Sequence, residues 1–217
     1  MKHFSGVIFD MDGLLLDSER IALETFSEAC VQLALGDQTA LFYRCIGTNQ
    51  QRGEIILAEG LAGKIQIEAF SACWEQLHQA RVTAAPIPVK PGALALLEVI
   101  NGLGLPVAVA TSTATARARE KLRDAGLLDY FHRIVGGDCV QRSKPEPDIY
   151  LQAAQVLNIV PGRALALEDS ENGVLAALAA GMTVVQVPDL VQPSAEFRRH
   201  GHWVLASLND VSGHRFH

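Results

Sequence analysis

Short runs of apolar residues recur along the chain and alternate with stretches of helical periodicity. Continuous apolar runs predict strands buried on both faces, and five are found, at residues 7–9, 107–110, 134–135, 164–167 and 183–187. Between the later runs, the pattern predicts helices at 93–100, 114–124, 147–156 and 172–180. Strands that alternate with helices in this way predict a doubly wound parallel sheet of the α/β class.

The interval between the first and second strands has a different pattern. Residues 18–83 contain no convincing strand and predict helices at 18–33, near 37–46, after Thr48 and at 67–81. A proline-rich segment at 84–92 closes the interval. We therefore expect a Rossmann-like core formed by residues 1–15 and 88–217, with residues 16–87 inserted as a helical cap domain over the carboxyl edge of the sheet.

Composition narrows the range of functions. The 217 residues are 49% hydrophobic and 19% charged, with a formal net charge of −6, which suits a globular protein and argues against a nucleic-acid partner. No stretch reaches the roughly 18 apolar residues that a membrane span requires. The cysteines have no metal or redox spacing, so we expect reduced thiols in a cytoplasmic protein; they are Cys30, Cys45, Cys73 and Cys139.

Polar residues that are candidates for catalysis or binding follow the apolar runs or precede a helix. In chain order they are Asp10 and Asp12, Thr111 and Ser112, Lys144, and Glu168 and Asp169. Because the carboxyl ends of parallel strands meet at one edge of a sheet, we expect these residues to share a crevice. Each segment alone has an ordinary explanation, such as helix capping or a solvated surface charge. It is the order of all four segments that favours a site.

Such a crevice can support phosphoryl transfer. The carboxylates of Asp10 and Asp169 predict a site for Mg²⁺, which prefers oxygen ligands, and the scarcity of histidine and cysteine in these segments argues against zinc. A lysine and a hydroxyl opposite the metal would hold phosphate oxygens. Asp10 would then be a nucleophile toward phosphorus, and Asp12 would protonate the leaving oxygen and later activate water.

The four segments together resemble the haloacid dehalogenase superfamily, in particular its phosphatase and phosphomutase branch with a helical cap. The matching segments are residues 9–18, 110–112, 143–147 and 167–173. The resemblance also implies that the first strand lies between the second and the fourth. It implies these roles: nucleophile Asp10, acid and base Asp12, phosphate ligands Thr111 and Lys144, and magnesium ligands Asp10, the Asp12 carbonyl, Glu168 and Asp169.

The resemblance leaves the reaction and the substrate partly open. The dehalogenases that name the superfamily lack the second aspartate, so Asp12 indicates phosphoryl transfer. Members that act as β-phosphoglucomutase carry a histidine near the position of Ala22 here, and an arginine that is displaced to Arg52 in this chain. We therefore favour a phosphatase acting on a small phosphorylated metabolite, a sugar phosphate being the expected class, over a hexose-phosphate mutase.

Two further expectations concern the cap and the assembly. Asn49 and Arg52 are the candidate cap residues for substrate binding, and we expect a monomer. A catalytically quiet module that senses a phosphorylated metabolite is a third hypothesis, which tight binding without turnover would support.

Overall fold

Six parallel strands form the centre of the protein in a computed structural model, which describes residues 4–48 and 50–211. The strands are β1 (Gly6–Phe9), β2 (Val107–Ala110), β3 (Arg133–Val135), β4 (Ala164–Glu168), β5 (Thr183–Gln186) and β6 (Trp203–Val204). Their order in the sheet is β3-β2-β1-β4-β5-β6, and every neighbouring pair is parallel. The position of β1 between β2 and β4 confirms the strand order that the resemblance implied.

Helices cover both faces of this sheet, which confirms the doubly wound fold class. In chain order they are α1 (Ser18–Gln32), α2 (Thr39–Tyr43), α3 (Gln50–Gly60), α4 (Ile67–Ala84), α5 (Ala93–Gly102), α6 (Thr115–Asp124), α7 (Asp148–Val156) and α8 (Glu171–Ala179). Side chains alternate between the two faces of a strand, so Val7 and Phe9 pack with α5 and α6, whereas Ile8 packs with α7 and α8.

The helices α1 to α4 lie between β1 and β2 and have a hydrophobic core of their own. Phe26 is at its centre, with its ring centroid 5.3 Å from those of Phe42, Phe70 and Trp74. Burial of large aromatic side chains is a strong stabilising contribution. The helical block is therefore held together by its own packing as well as by its connections to the sheet.

Several element boundaries differ from those predicted. Helix α2 covers only five residues of the segment near 37–46, and α4 continues to Ala84 rather than ending at 81. Strand β6 was not predicted, because it is two residues long and no continuous apolar run marks it. Within the described ranges, no helix is long and apolar enough to cross a membrane.

Candidate active site

A buried cluster of charged side chains lies where the carboxyl ends of β1 and β4 meet. Lys144, from the loop before α7, is only 3% exposed. Its Nζ donates hydrogen bonds to Asp10 Oδ1 at 2.5 Å and to Glu168 Oε1 at 2.6 Å. Asp169 completes the cluster, since one oxygen from each of the three carboxylates lies within 4.8 Å of the others. Residues from three distant segments of the chain therefore share one site.

Two glycines permit this close approach. Gly13 has φ +86°, and a Cβ at that position would collide with the Asp169 carboxylate. A Cβ at Gly173, in the first turn of α8, would overlap the carboxylate of Glu168. Only a residue without a side chain fits at either position. The loop after β1 and the start of α8 are thus shaped around the two acidic residues that end β4.

The Glu168 carboxylate is fully occupied by protein donors. Besides Lys144, Oε1 accepts a hydrogen bond from the Tyr150 hydroxyl at 2.6 Å. Oε2 accepts from the backbone N–H of Asp169 at 3.1 Å, and from the N–H and the hydroxyl of Ser170, both at 3.2 Å. By contrast, no described residue donates a hydrogen bond to the Asp169 carboxylate. Glu168 is therefore rigidly held, while Asp169 keeps oxygens available for a ligand.

Burial and the neighbouring charges shift the pKa values of the groups in this cluster. Burial raises the pKa of Asp10 to about 7, although the Lys144 ammonium opposes the shift. Burial, followed by repulsion from Glu168, raises the pKa of Asp169 well above its usual value. Burial would lower the pKa of Lys144, but attraction to Asp10 and Glu168 outweighs it and raises that pKa. One ammonium does not neutralise three buried carboxylates, so the cluster favours a further cation.

Asp12 lies apart from this cluster, on the side of β2 and α6. Its Oδ1 accepts hydrogen bonds from the Ser18 hydroxyl at 2.6 Å and from Lys121 Nζ at 2.7 Å. Its Oδ2 accepts from the Thr113 hydroxyl at 2.7 Å. Burial alone would raise the pKa of Asp12, but Lys121 and the two hydroxyls lower it to about 2. The carboxylate is therefore ionised and fixed in orientation.

The remaining predicted residues differ in how they relate to the site. Thr111 is 1% exposed, and its hydroxyl lies 3.4 Å from Asp12 Oδ2. Arg52 is exposed and lines, together with Lys144, an open cleft of about 610 Å³. Ser112 is half-buried, and its side chain makes no hydrogen bond within the described part of the chain. Asn49 lies outside the described residues.

Sequence reasoning missed Thr113, Lys121 and Tyr150, which contact the acidic groups, and it assigned no role to Ser18 or Ser170, which also do. A signal for Lys121 was present, because it follows Ala118 by three positions and precedes Leu122, and both of those are buried. A lysine on the apolar stripe of an amphipathic helix faces the protein interior and needs a partner there. Because Lys121 and Asp12 are 109 positions apart in the sequence, the sequence did not identify that partner.

A doubly wound sheet with a buried lysine and several carboxylates at its carboxyl edge defines an enzyme of the α/β class. The chain belongs to the haloacid dehalogenase-like hydrolases, because the sequence model of that hydrolase family matches residues 4–181. This match confirms the family that the four segments indicated.

Curated relatives support the same assignment. The chain is 36% identical over 179 residues to a phosphorylated carbohydrates phosphatase of Thermotoga maritima, and the aligned region covers 82% of each sequence. It is 33% identical over 182 residues to hexitol phosphatase A of Escherichia coli, covering 84% of this chain and 82% of that enzyme. Among solved structures, CbbY from Rhodobacter sphaeroides in complex with xylulose-(1,5)bisphosphate is 28% identical, with a TM-score of 0.76 and 96% of each chain covered.

Proposed function

We propose that this protein is a magnesium-dependent phosphatase that hydrolyses a small phosphorylated metabolite through an aspartyl-phosphate intermediate. The observation that carries the proposal is the buried contact of Lys144 with Asp10 and Glu168, with Asp169 at its side. A phosphate-binding cation lies next to a nucleophile there, and a group of acidic oxygens lies beside both. Relatives named as phosphatases of phosphorylated carbohydrates and hexitols favour a sugar phosphate as the substrate class.

The donor set of the cluster fits magnesium. Asp10 and Asp169 offer hard oxygen ligands with raised pKa values, and binding of a divalent cation would relieve the repulsion that raises them. In this proposal the Asp12 carbonyl and Glu168 complete the surroundings of the metal. Because five protein donors already hold Glu168, its role there is to position the site as well as to contribute charge. When bound, Mg²⁺ would neutralise charge on the phosphate oxygens.

The residues themselves supply the chemical steps. A carboxylate oxygen of Asp10 forms a bond to phosphorus while the bond from phosphorus to the ester oxygen breaks. Asp12 gives a proton to the departing oxygen. The adjacent phosphate dianion raises the pKa of the Asp12 carboxyl group and so favours its protonated form before the transfer. Asp12 then takes a proton from water, which attacks phosphorus and restores Asp10. Lys144, Thr111 and Ser112 hold the phosphate oxygens.

The helical block is proposed as a cap domain of residues 16–87 on a core of residues 1–15 and 88–217. The two connections between them run side by side. The Asp17 N–H donates to the Pro88 carbonyl at 2.9 Å, and the Lys90 N–H donates to the Leu15 carbonyl at 2.8 Å. Paired connections of this kind allow a cap to move as one unit, and closure of a lid would exclude water from the phosphorus atom.

A hexose-phosphate mutase is the second candidate function. Arg44 and Arg52 line the 610 Å³ cleft together with Lys144, and these guanidinium groups could bind a second anionic group of a substrate. The bisphosphate bound to CbbY is in keeping with this reading. Interconversion of hexose 1- and 6-phosphates without net phosphate release would establish the mutase.

The test is phosphate release from a panel of small phosphate esters, with Mg²⁺ or with EDTA. We expect turnover that requires the metal, and a loss on the order of 10⁴-fold or more for Asp10→Asn, as is typical when a nucleophile is removed. Asp124→Asn is the matched control, because Asp124 is exposed at the end of α6. Activity that persists in Asp10→Asn, or that is unaffected by EDTA, would refute the phosphatase mechanism. Tight binding without turnover would favour a sensing module.

A further inference from the structure

The only described lysine that contacts Asp12 comes from a helix of the core that carries none of the family motifs. Lys121 lies on α6, and its side chain is 15% exposed. Its Nζ is 2.7 Å from Asp12 Oδ1, within the range of a charge-assisted hydrogen bond. Such a contact orders a long, flexible side chain at an entropic cost. The ion pair is also largely shielded from solvent, so dissolved salt screens its attraction less than that of a surface pair.

The other contacts of Asp12 restrict the same carboxylate from two sides. Ser18 shares Oδ1 with Lys121, and Thr113 occupies Oδ2. Both are neutral hydroxyls, so Lys121 is the one charged donor to Asp12 among the described residues. These donors, together with the Thr111 hydroxyl at 3.4 Å from Oδ2, come from the start of α1, the loop after β2 and the last turn of α6. They hold the carboxylate on the β2 side of β1, whereas Glu168 and Asp169 lie at the end of β4 on the other side.

The positive charge of Lys121 balances a carboxylate that Lys144 does not reach. Asp12 is two residues from Asp10, and two ionised carboxylates this close repel each other. Lys144 cannot serve both aspartates, because its ammonium is engaged by Asp10 and Glu168. Each of the two aspartates therefore has a lysine of its own. Without Lys121, the Asp12 carboxylate would be attracted toward any cation bound at the acidic cluster.

We propose that Lys121 is a positioning residue that orients Asp12 for proton transfer to the leaving oxygen and keeps it away from the acidic cluster. This inference rests on the proposed phosphatase mechanism, in which Asp12 is the acid. A positioned acid matters most when the departing oxygen is strongly basic, as in an alkyl or sugar phosphate. It matters little for p-nitrophenyl phosphate, whose leaving group is stable as the anion.

The experiment compares kcat/KM for these two substrates, since that ratio reports the step in which the leaving group departs. For Lys121→Met we expect a loss of about 100-fold with an alkyl phosphate such as glycerol phosphate, and less than about tenfold with p-nitrophenyl phosphate. Lys121→Arg keeps the positive charge and should restore most of the alkyl phosphate activity. Arg119→Met is the matched control on the exposed face of α6, and it should change neither value.

Equal losses on the two substrates in Lys121→Met would overturn the inference, as would a loss that Lys121→Arg fails to restore. Thermal unfolding of each variant shows whether it is folded. If Lys121→Met is not, Lys121→Gln keeps a hydrogen-bond donor without the charge, and the same selective loss is expected of it. The wild-type enzyme separates the two proposals. Absence of phosphate release from either substrate refutes the phosphatase, whereas release with an unselective Lys121→Met loss refutes only the role of Lys121.

Discussion

The metal-free protein should lose stability as the pH rises, because its acidic cluster is poorly neutralised. The ordinary pKa of Asp10 is 3.8, and burial raises it to about 7 in the folded protein. Between these values the folded state holds a proton that the unfolded state has released, so the free energy of unfolding falls with increasing pH. From pH 5 to pH 8, this single group accounts for ~3 kcal/mol by linkage, which is a large part of a typical total stability.

Other groups add to this effect or oppose it over the same range. The pKa of Asp169 is also raised by burial, and burial and the nearby Asp12 raise the pKa of Glu19 to about 8, so both act in the same direction as Asp10. Burial lowers the pKa of His78 and His202, whose contributions therefore increase stability as the pH rises through the unfolded value of 6.5. A comparison with Asp10→Asn is needed to isolate the contribution of Asp10.

The assay is urea unfolding at pH 5 and pH 8, in EDTA and in Mg²⁺. In EDTA, the wild type should lose ~3 kcal/mol more between the two pH values than Asp10→Asn does, while the exposed control Asp124→Asn should behave as the wild type. Added Mg²⁺ should stabilise the wild type more at pH 8 than at pH 5, since protons compete with the metal for the carboxylates. If wild type and Asp10→Asn have the same pH dependence in EDTA, the electrostatic reasoning about the cluster is wrong.

Three further substitutions test the packing around the acidic groups. Gly173→Ala should displace the Glu168 carboxylate and reduce phosphatase activity on the order of 100-fold, which kinetic assays on the folded variant would measure. Tyr150→Phe removes a donor to Glu168 in a fully buried site and should lower the free energy of unfolding by about 1–3 kcal/mol in urea titrations; an unchanged midpoint would contradict this. Arg81→Ala removes an exposed ion pair with Glu24 at 2.7 Å, and the same titrations should show a change below ~1 kcal/mol.

Much of the fold could be predicted because its strands are buried on both faces. Residues 107–110 and 164–167 are continuous apolar runs, and all of their side chains are buried in the sheet. Such runs leave a clear sequence signal. Strand β6 has none, because its two residues lie at the edge of the sheet, where pairing with β5 rather than burial makes them a strand. Edge elements depend on a neighbour that local sequence does not reveal.

The roles of the site residues stay predictions, but the proximity of those at strand ends could be anticipated from the sequence. Asp10 and Asp169 directly follow buried strands, so the topology alone brings them to one edge. The sequence did not predict that the two aspartates of the first loop have different partners. Their side chains are two residues apart, yet Asp10 joins the cluster with Lys144 and Asp12 pairs with Lys121. Side-chain direction after a strand depends on the turn that follows, here made by Gly13 with φ +86°.

The separation of the two aspartates also determines how charge is balanced. Asp10, Glu168 and Asp169 carry three negative charges when ionised, and Lys144 carries one positive charge, which leaves −2 for a ligand to neutralise. Asp12 and Lys121 form a neutral pair beside them. A divalent cation therefore matches the acidic cluster in charge without drawing on Asp12. In the proposed mechanism, the ion pair with Lys121 keeps the Asp12 carboxylate out of the metal site, and the charge of the bound phosphate favours its protonation.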